Sequence, residues 1–368
     1  MKIGFYVFIV VCCVLSTKAQ INSAVEKFAL PENLNESSGG IFFNDKFITH
    51  NDSGGENKLF ELDTLSGNVN RTVSITNATN TDWEDITQDE NYIYIGDIGN
   101  NSGNRADLKI YKVDKTEYQN SSSVSAETIT FNYDNQTDFT SNPNNTEWDA
   151  EALISFDENH LILFSKNWVN GETLAYLIPK STGDYSLTPL PTSLPNSGLI
   201  TGGTFNPFTQ SLYLIGYTSL LQPYLWTCED FSGNDIFSGT NNQTFLINFG
   251  FEQTEAITYV NANRYLISSE SFSFSDPFPI SNYAKLIAFN ETPLGNAHQL
   301  SIISQPVQQN CDGSLSSAIV VQLEDNNGNP VNQSGFSISA EITSGFGELQ
   351  GTISESTDTN GRAIFNDL

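Results

Sequence analysis

Acidic or small polar residues recur along this chain, each followed 13 to 16 positions later by a second polar residue. The pairs are Glu36 and Asp52, Glu84 and Asp97, Glu151 and Lys166, Thr201 and Tyr217, and Glu255 and Glu270. A short apolar run lies inside each pair. That spacing suits a β-hairpin whose first strand leaves a rim and whose second returns to it. Hairpins arranged around one axis would gather Glu36, Asp52, Glu84, Asp97, Glu151, Glu255 and Glu270 at a common mouth. Crowded carboxylates in a partly desolvated funnel are costly unless something positive sits among them. A hard cation answers that cost, and Ca²⁺ accepts about six to eight oxygen ligands in tolerant geometry. Lys166, Arg105 and His50 are an alternative source of positive charge. The competing reading is a scaffold, in which the repeated polar residue bonds backbone between neighbouring units and water fills the channel. Asp52, in His50-Asn-Asp-Ser-Gly-Gly, also suits an Asx-turn.

Other chemistries find little support. The chain has three histidines, and only His50 falls near the expected mouth, where Ser37 or Ser53 would have to complete a triad. His160 opens a strand and His298 lies in a linker. No Cys or His cluster has zinc spacing, and no glycine-rich phosphate loop occurs. Trp168 and Trp226 suit stacking on sugars or, more commonly in such folds, packing between units. As a binding surface, the mouth would present His50, Arg105 and Tyr217 to a ligand. As a metal-dependent hydrolase, it would use Glu151 or Glu84 as general base beside Lys166, with the cation polarising an ester, lactone or phosphate oxygen.

The elements that must position these residues are strands. Tyr92-Ile-Tyr-Ile-Gly, Leu108-Lys-Ile-Tyr-Lys-Val, Thr128-Ile-Thr-Phe-Asn-Tyr, His160-Leu-Ile-Leu-Phe and Ser211-Leu-Tyr-Leu-Ile-Gly are short β-rich runs punctuated by turn residues. No window of helical length keeps a 3.6-residue apolar period, so the fold class is all-β. The repeat is 48 residues from Glu36 to Glu84 and 67 from Glu84 to Glu151, about the length of a four-stranded propeller blade. Five copies over residues 28–291 predict a β-propeller of five blades, or six if one copy is degenerate. Phe28-Ala-Leu is placed to complete the last blade as its closing strand.

Lys2, the apolar Phe5–Leu15 and the small-residue exit before Gln20 read as a cleaved secretory signal over 1–19, too short in its apolar core to span a bilayer. The propeller is then assigned to 20–298. A formal charge of -28 argues against nucleic acid or anionic membrane as partner and suits cations. An extracellular small molecule, glycan or protein is the expected ligand, at a secreted or cell-surface location. Cys228 and Cys311 are the cysteines outside the signal, and whether they pair stays open.

His50-Asn-Asp-Ser-Gly, Asp82-Trp-Glu-Asp-Ile, Gly96-Asp-Ile-Gly-Asn-Asn, Asp149-Ala-Glu-Ala-Leu and Leu163-Phe-Ser-Lys resemble a family of secreted bacterial propeller proteins without an assigned reaction. More loosely, the Glu-Ala signature is similar to that of lactonase-like, esterase-like phytase and SdiA-regulated propellers. The fourth copy, Thr201-Gly-Gly, departs from the acidic pattern. From about Gln299 the texture changes: the stretch from Ala318 to Val331 and Thr357-Asp-Thr-Asn-Gly-Arg-Ala-Ile-Phe resemble bacterial immunoglobulin-like domains of surface adhesins. That resemblance implies a β-sandwich over 299–368 lacking its last strand, as in a truncated sequence or the front of a longer protein.

Overall fold

The β-branched and aromatic runs each form a strand, and Asn-, Asp- and Gly-rich links turn the chain between them. A computed structural model of the chain describes residues 21–195, 198–275, 279–291, 299–305, 317–324, 328, 330–331, 337–340 and 350–367. The signal over 1–19, Cys311 and His298 lie outside the described residues. The chain divides into two compact units, one spanning Ile21–Glu291 and the other carrying the residues from Thr292 onward.

The first unit is a five-bladed β-propeller. Its inner strands are Ser37–Phe43, Trp83–Gln88, Ala150–Ser155, Leu199–Asn206 and Gln253–Tyr259. Each lies against the next, and the last lies against the first. The second blade shows the order: Trp83–Gln88, Tyr92–Asp97, Lys109–Asp114 and Glu127–Tyr133 pair antiparallel from the axis outward. An apolar layer fills each boundary between blades. Blades 1 and 2 enclose Ile48, Leu59 and Trp83, and blades 5 and 1 enclose Phe47, Leu62, Leu266 and Leu286. Burying one such side chain is worth about 1.5–3 kcal/mol, so this layering rather than the polar axis holds the ring closed. Ile21–Ala29 pairs antiparallel with Lys285–Glu291 and so forms the outer strand of the last blade, in the place expected for Phe28.

Blade 3 departs from the four-stranded pattern. It keeps Ala150–Ser155, His160–Ser165 and Ala175–Pro179, while Gly183–Leu187 pairs in parallel with Glu127–Tyr133 of blade 2. The chain that would return as a fourth strand carries Pro189, Pro191 and Pro195, none of which can donate to a ladder. It makes only isolated bridges, Tyr176 with Pro189 and Thr173 with Leu194. One short helix, Lys115–Asn120, interrupts the β pattern; Asp114 caps it by accepting from the N–H groups of Thr116 and Glu117. Among the described residues no helix is long and apolar enough to cross a membrane.

In the second unit Gln299–Ser304, Ile319–Glu324 and Arg362–Phe365 form one antiparallel sheet, and Ser337–Ser339 pairs with Ser354–Ser356. Ile319, Val321, Leu323, Ile338, Ala363 and Phe365 make a common core.

Candidate cation site at the channel mouth

Every inner hairpin slips register at one place. Trp83 pairs with Asp97 and Asp85 with Gly96, which leaves Glu84 as the extra residue of a β-bulge. Glu151, Thr201 and Glu255 hold the same position in blades 3, 4 and 5, and blade 1 slips between Ser37 and Gly40. A bulge re-aims the side chain of its extra residue. The residue after it is small in four blades: Gly39, Ala152, Gly202 and Ala256. These positions let inner strands touch. A Cβ on Gly39 would lie 2.4 Å from Ile86 N, and one on Gly202 would lie 2.3 Å from Glu255 O. In blade 2 the position holds Asp85, whose carboxylate accepts from Ile86 N–H and Leu153 N–H at 2.8 Å each and from Gly203 N–H. Blades 2 and 4 are not neighbours, so this side chain crosses the axis and forms a floor beneath the mouth.

Above that floor the carboxylates converge. Asp52, Asp82 and Glu84 each bring one oxygen within 4.8 Å of the other two. Gly99 backs this cluster so closely that a Cβ there would meet Glu84 Oε1 at 2.0 Å and Asp82 Oδ2 at 2.5 Å. Asp149 is wholly buried; it accepts from Asn100 N–H at 2.6 Å and from Trp168 Nε1–H at 2.7 Å. Lys166 pairs with Glu151, both nearly fully buried, and its ammonium lies 4.8 Å from the Trp168 ring centre and 5.6 Å from that of Tyr217. Gln253 donates to Glu270 at 2.6 Å.

Burial and mutual repulsion push these carboxyls up. Asp82 rises to about 7 through burial and the charges of Asp52 and Asp149. Glu270 rises to about 7 through burial and the charges of Asp52 and Glu36, against the pull of Lys166. Glu84 and Glu255 rise well above the carboxylate range, first by burial and then by neighbouring acids. Burial works against the Lys166 ammonium, but Glu151, Tyr217 and Glu255 outweigh it and hold the group charged. Two carboxylates 4–5 Å apart repel by about 3–4 kcal/mol at an effective dielectric of about 20, which a bound cation would turn into attraction.

The positions named from sequence divide in two. Glu36, Asp52, Glu84, Glu151, Glu255 and Glu270 act on one another electrostatically across the mouth, together with Lys166. Tyr217 lines the same space beside Lys166. Asp97 instead binds Arg105 at 2.8 Å and takes Asp82 N–H at 3.1 Å, so Arg105 is committed to it and to the Gly99 carbonyl. His50 is buried edge-on against Trp83, with ring centres 5.5 Å apart, and burial lowers it to about 4. It stands in the packing between blades. Asp82 and Asp149 were missed as site residues. The signal was present, since each stands two positions before a bulged glutamate, immediately ahead of its inner strand.

No protein-family model matches the chain, and no curated protein matches it. Among solved structures it is similar to the PQQ-bound form of aldose sugar dehydrogenase from Streptomyces coelicolor, at 9% identity and a TM-score of 0.43, covering 74% of this chain and 99% of that one. A glucose dehydrogenase aligns at 9% identity and a TM-score of 0.41, over 73% of this chain and 99% of that one. The Cps50 (Swd1) β-propeller domain of Myceliophteria thermophila aligns at 9% identity and 0.34, over 80% of this chain and 95% of that one. Likenesses this remote say nothing of activity, ligand or cofactor in this chain.

Proposed function

We propose that this protein is an exported β-propeller whose channel mouth holds a calcium ion and, through it, an extracellular ligand. The observation that carries this reading is the triad of Asp52, Asp82 and Glu84, with oxygens from two blades within 4.8 Å of one another. Oxygens bound to Ca²⁺ at about 2.3–2.6 Å stand no more than about 5 Å apart, so the spacing fits. The donor set is all carboxylate, which favours a hard cation over zinc. Asp97 Oδ2, on the residue that holds Asp82 N–H, is buried without a hydrogen-bond partner among the described residues. Asp52, Asp82 and Glu84 would hold the ion; Lys166 would keep Glu151 and Asp149 from competing for it. The signal-like segment over 1–19 and the resemblance to secreted bacterial propellers support export.

Calorimetric titration of the chelator-treated chain with Ca²⁺ tests the proposal. One site per chain is expected, weakened at least about tenfold in Asp82→Asn and in Glu84→Gln. Absence of binding, or binding untouched by both variants, would refute it.

A hydrolase reading has one observation in its favour: Asp82, a member of the triad, is held near 7, where a general acid or base would be poised. Turnover of phosphate, lactone or carboxylic esters that is lost in Glu151→Gln, with the melting transition kept, would select it over binding alone.

A further inference from the structure

Below the Asp85 floor, the far ends of the inner strands open into a second space, a cavity of about 680 Å³ on the face opposite the carboxylates. All five blades contribute to its wall. We infer that this lower cavity is a binding site for a neutral saccharide, independent of the cation mouth.

The wall repeats an aromatic at the foot of the inner strand. Phe42, Phe205 and Tyr259 stand four residues beyond Ser38, Thr201 and Glu255, and Phe156 stands one further along in blade 3. These rings are half-buried, each packed on a core between blades with part of its surface left exposed. Phe156 and Phe205 have ring centres 5.3 Å apart at a 55° tilt, and both also lie against Phe231, so blades 3 and 4 share one apolar patch at this wall. Between the rings lie polar groups, among them one ion pair and one ammonium held by a carbonyl and a ring. Lys180 donates to Asp89 Oδ2 at 2.9 Å and to Ser155 Oγ at 2.8 Å. The Lys115 ammonium lies 4.4 Å over the Phe43 ring and donates to the Asp89 carbonyl.

That combination disfavours an anionic ligand, because four carboxylates, Asp89, Glu90, Asp157 and Glu158, stand on the wall against two ammoniums, Lys115 and Lys180. It also selects against a purely apolar one, which would desolvate Asp89 and Lys180 without return. A pyranose ring satisfies both halves. Its C–H faces lie on aromatic rings, and its hydroxyl edge donates to the Asp89 carboxylate and accepts from the Lys180 ammonium. The volume suits one to a few sugar rings.

The test is titration calorimetry of the full chain against a panel of neutral oligosaccharides built from glucose, galactose, mannose, xylose and N-acetylglucosamine. At least one is expected to bind, with affinity falling about tenfold or more in Phe205→Ala and in Tyr259→Ala while the melting transition stays within a few degrees. Asp89→Asn should weaken the same saccharide. Chelator and Asp82→Asn should leave saccharide binding unchanged, which separates this site from the cation mouth. No binding across the panel, binding indifferent to Phe205→Ala, Tyr259→Ala and Asp89→Asn, or binding abolished by chelator would overturn the inference.

Discussion

Asp85 Oδ2 accepts the backbone N–H of Leu153 at 2.8 Å, and this bond joins the inner strands of blades 2 and 3 at the axis. The same carboxylate takes Ile86 and Gly203 N–H groups, so three blades depend on one side chain. In Asp85→Ala the N–H groups of Leu153 and Gly203 would lose their acceptor in a site closed to water. An orphaned buried donor costs about 1–3 kcal/mol, so a loss of about 3–4 kcal/mol is expected in urea unfolding. Asp85→Asn keeps the volume and one acceptor oxygen, though its NH2 must face one of these N–H groups, and should cost less than Asp85→Ala. Equal losses in the two variants would mean that the carboxylate's bonds do not bear on the ring.

Gly99 separates the cation site from the fold. A methyl at this position collides with Glu84 Oε1 and Asp82 Oδ2, the far ends of side chains that can swing away. Gly99→Ala should therefore leave stability within about 1 kcal/mol. Calcium affinity should fall at least about tenfold, because the displaced oxygens are those proposed as ligands. A variant that melts as the parent does and binds calcium equally well would remove Asp82 and Glu84 from the ligand set.

The hairpin spacing makes the ring and its acidic mouth legible in the sequence, because a strand period of two and a fixed return length leave little freedom in where pair members end up. Lys166 is one of three candidates, with Arg105 and His50, for the positive charge at the mouth, and it is the one that pairs with Glu151. What stayed hidden depends on one-residue shifts. Glu84, Glu151 and Glu255 reach the mouth as bulges, and spacing alone does not show a bulge. Asp82 and Asp149 were visible in the motifs but not separable from turn-forming aspartates. His50 looked available because it stands two positions before Asp52, yet Asp52 lies past the end of the Lys46–Asn51 strand while His50 stays within it and packs on Trp83. The three-stranded third blade was foreshadowed by the prolines at 189, 191 and 195.

The raised carboxyls give stability a pH dependence whose sign depends on calcium. Asp82 and Glu270 ordinarily titrate near 4 and are pushed up to about 7 in the fold. Between those values the folded chain binds more protons than the unfolded one, so stability without cation falls as pH rises from about 4 to above 7. Both groups are partly exposed, so the loss should be about 1–3 kcal/mol rather than the full value of the shifts. Calcium bound as proposed would hold the carboxylates ionised, and at saturation should remove the decline. Melting curves from pH 5 to 8.5, with chelator and with calcium, measure both slopes. A chelated protein that becomes more stable toward pH 8 would show that these groups are not clustered in solution.

Lys166 answers Glu151 in a space that admits almost no solvent. Lys166→Met keeps the stem and its packing against Trp168 but leaves Glu151 uncompensated near Asp149 and Glu255. Breaking a buried pair from one side costs about 3–5 kcal/mol, and that loss is expected at pH 8. It should shrink toward pH 5, where Glu151 can take a proton. The double variant Lys166→Met, Glu151→Gln removes both charges and should recover most of the stability, with a coupling energy of about 2 kcal/mol or more in the cycle. If the two single losses simply add, Lys166 serves the mouth as a whole rather than Glu151, and its role belongs to the field of all the acids around it.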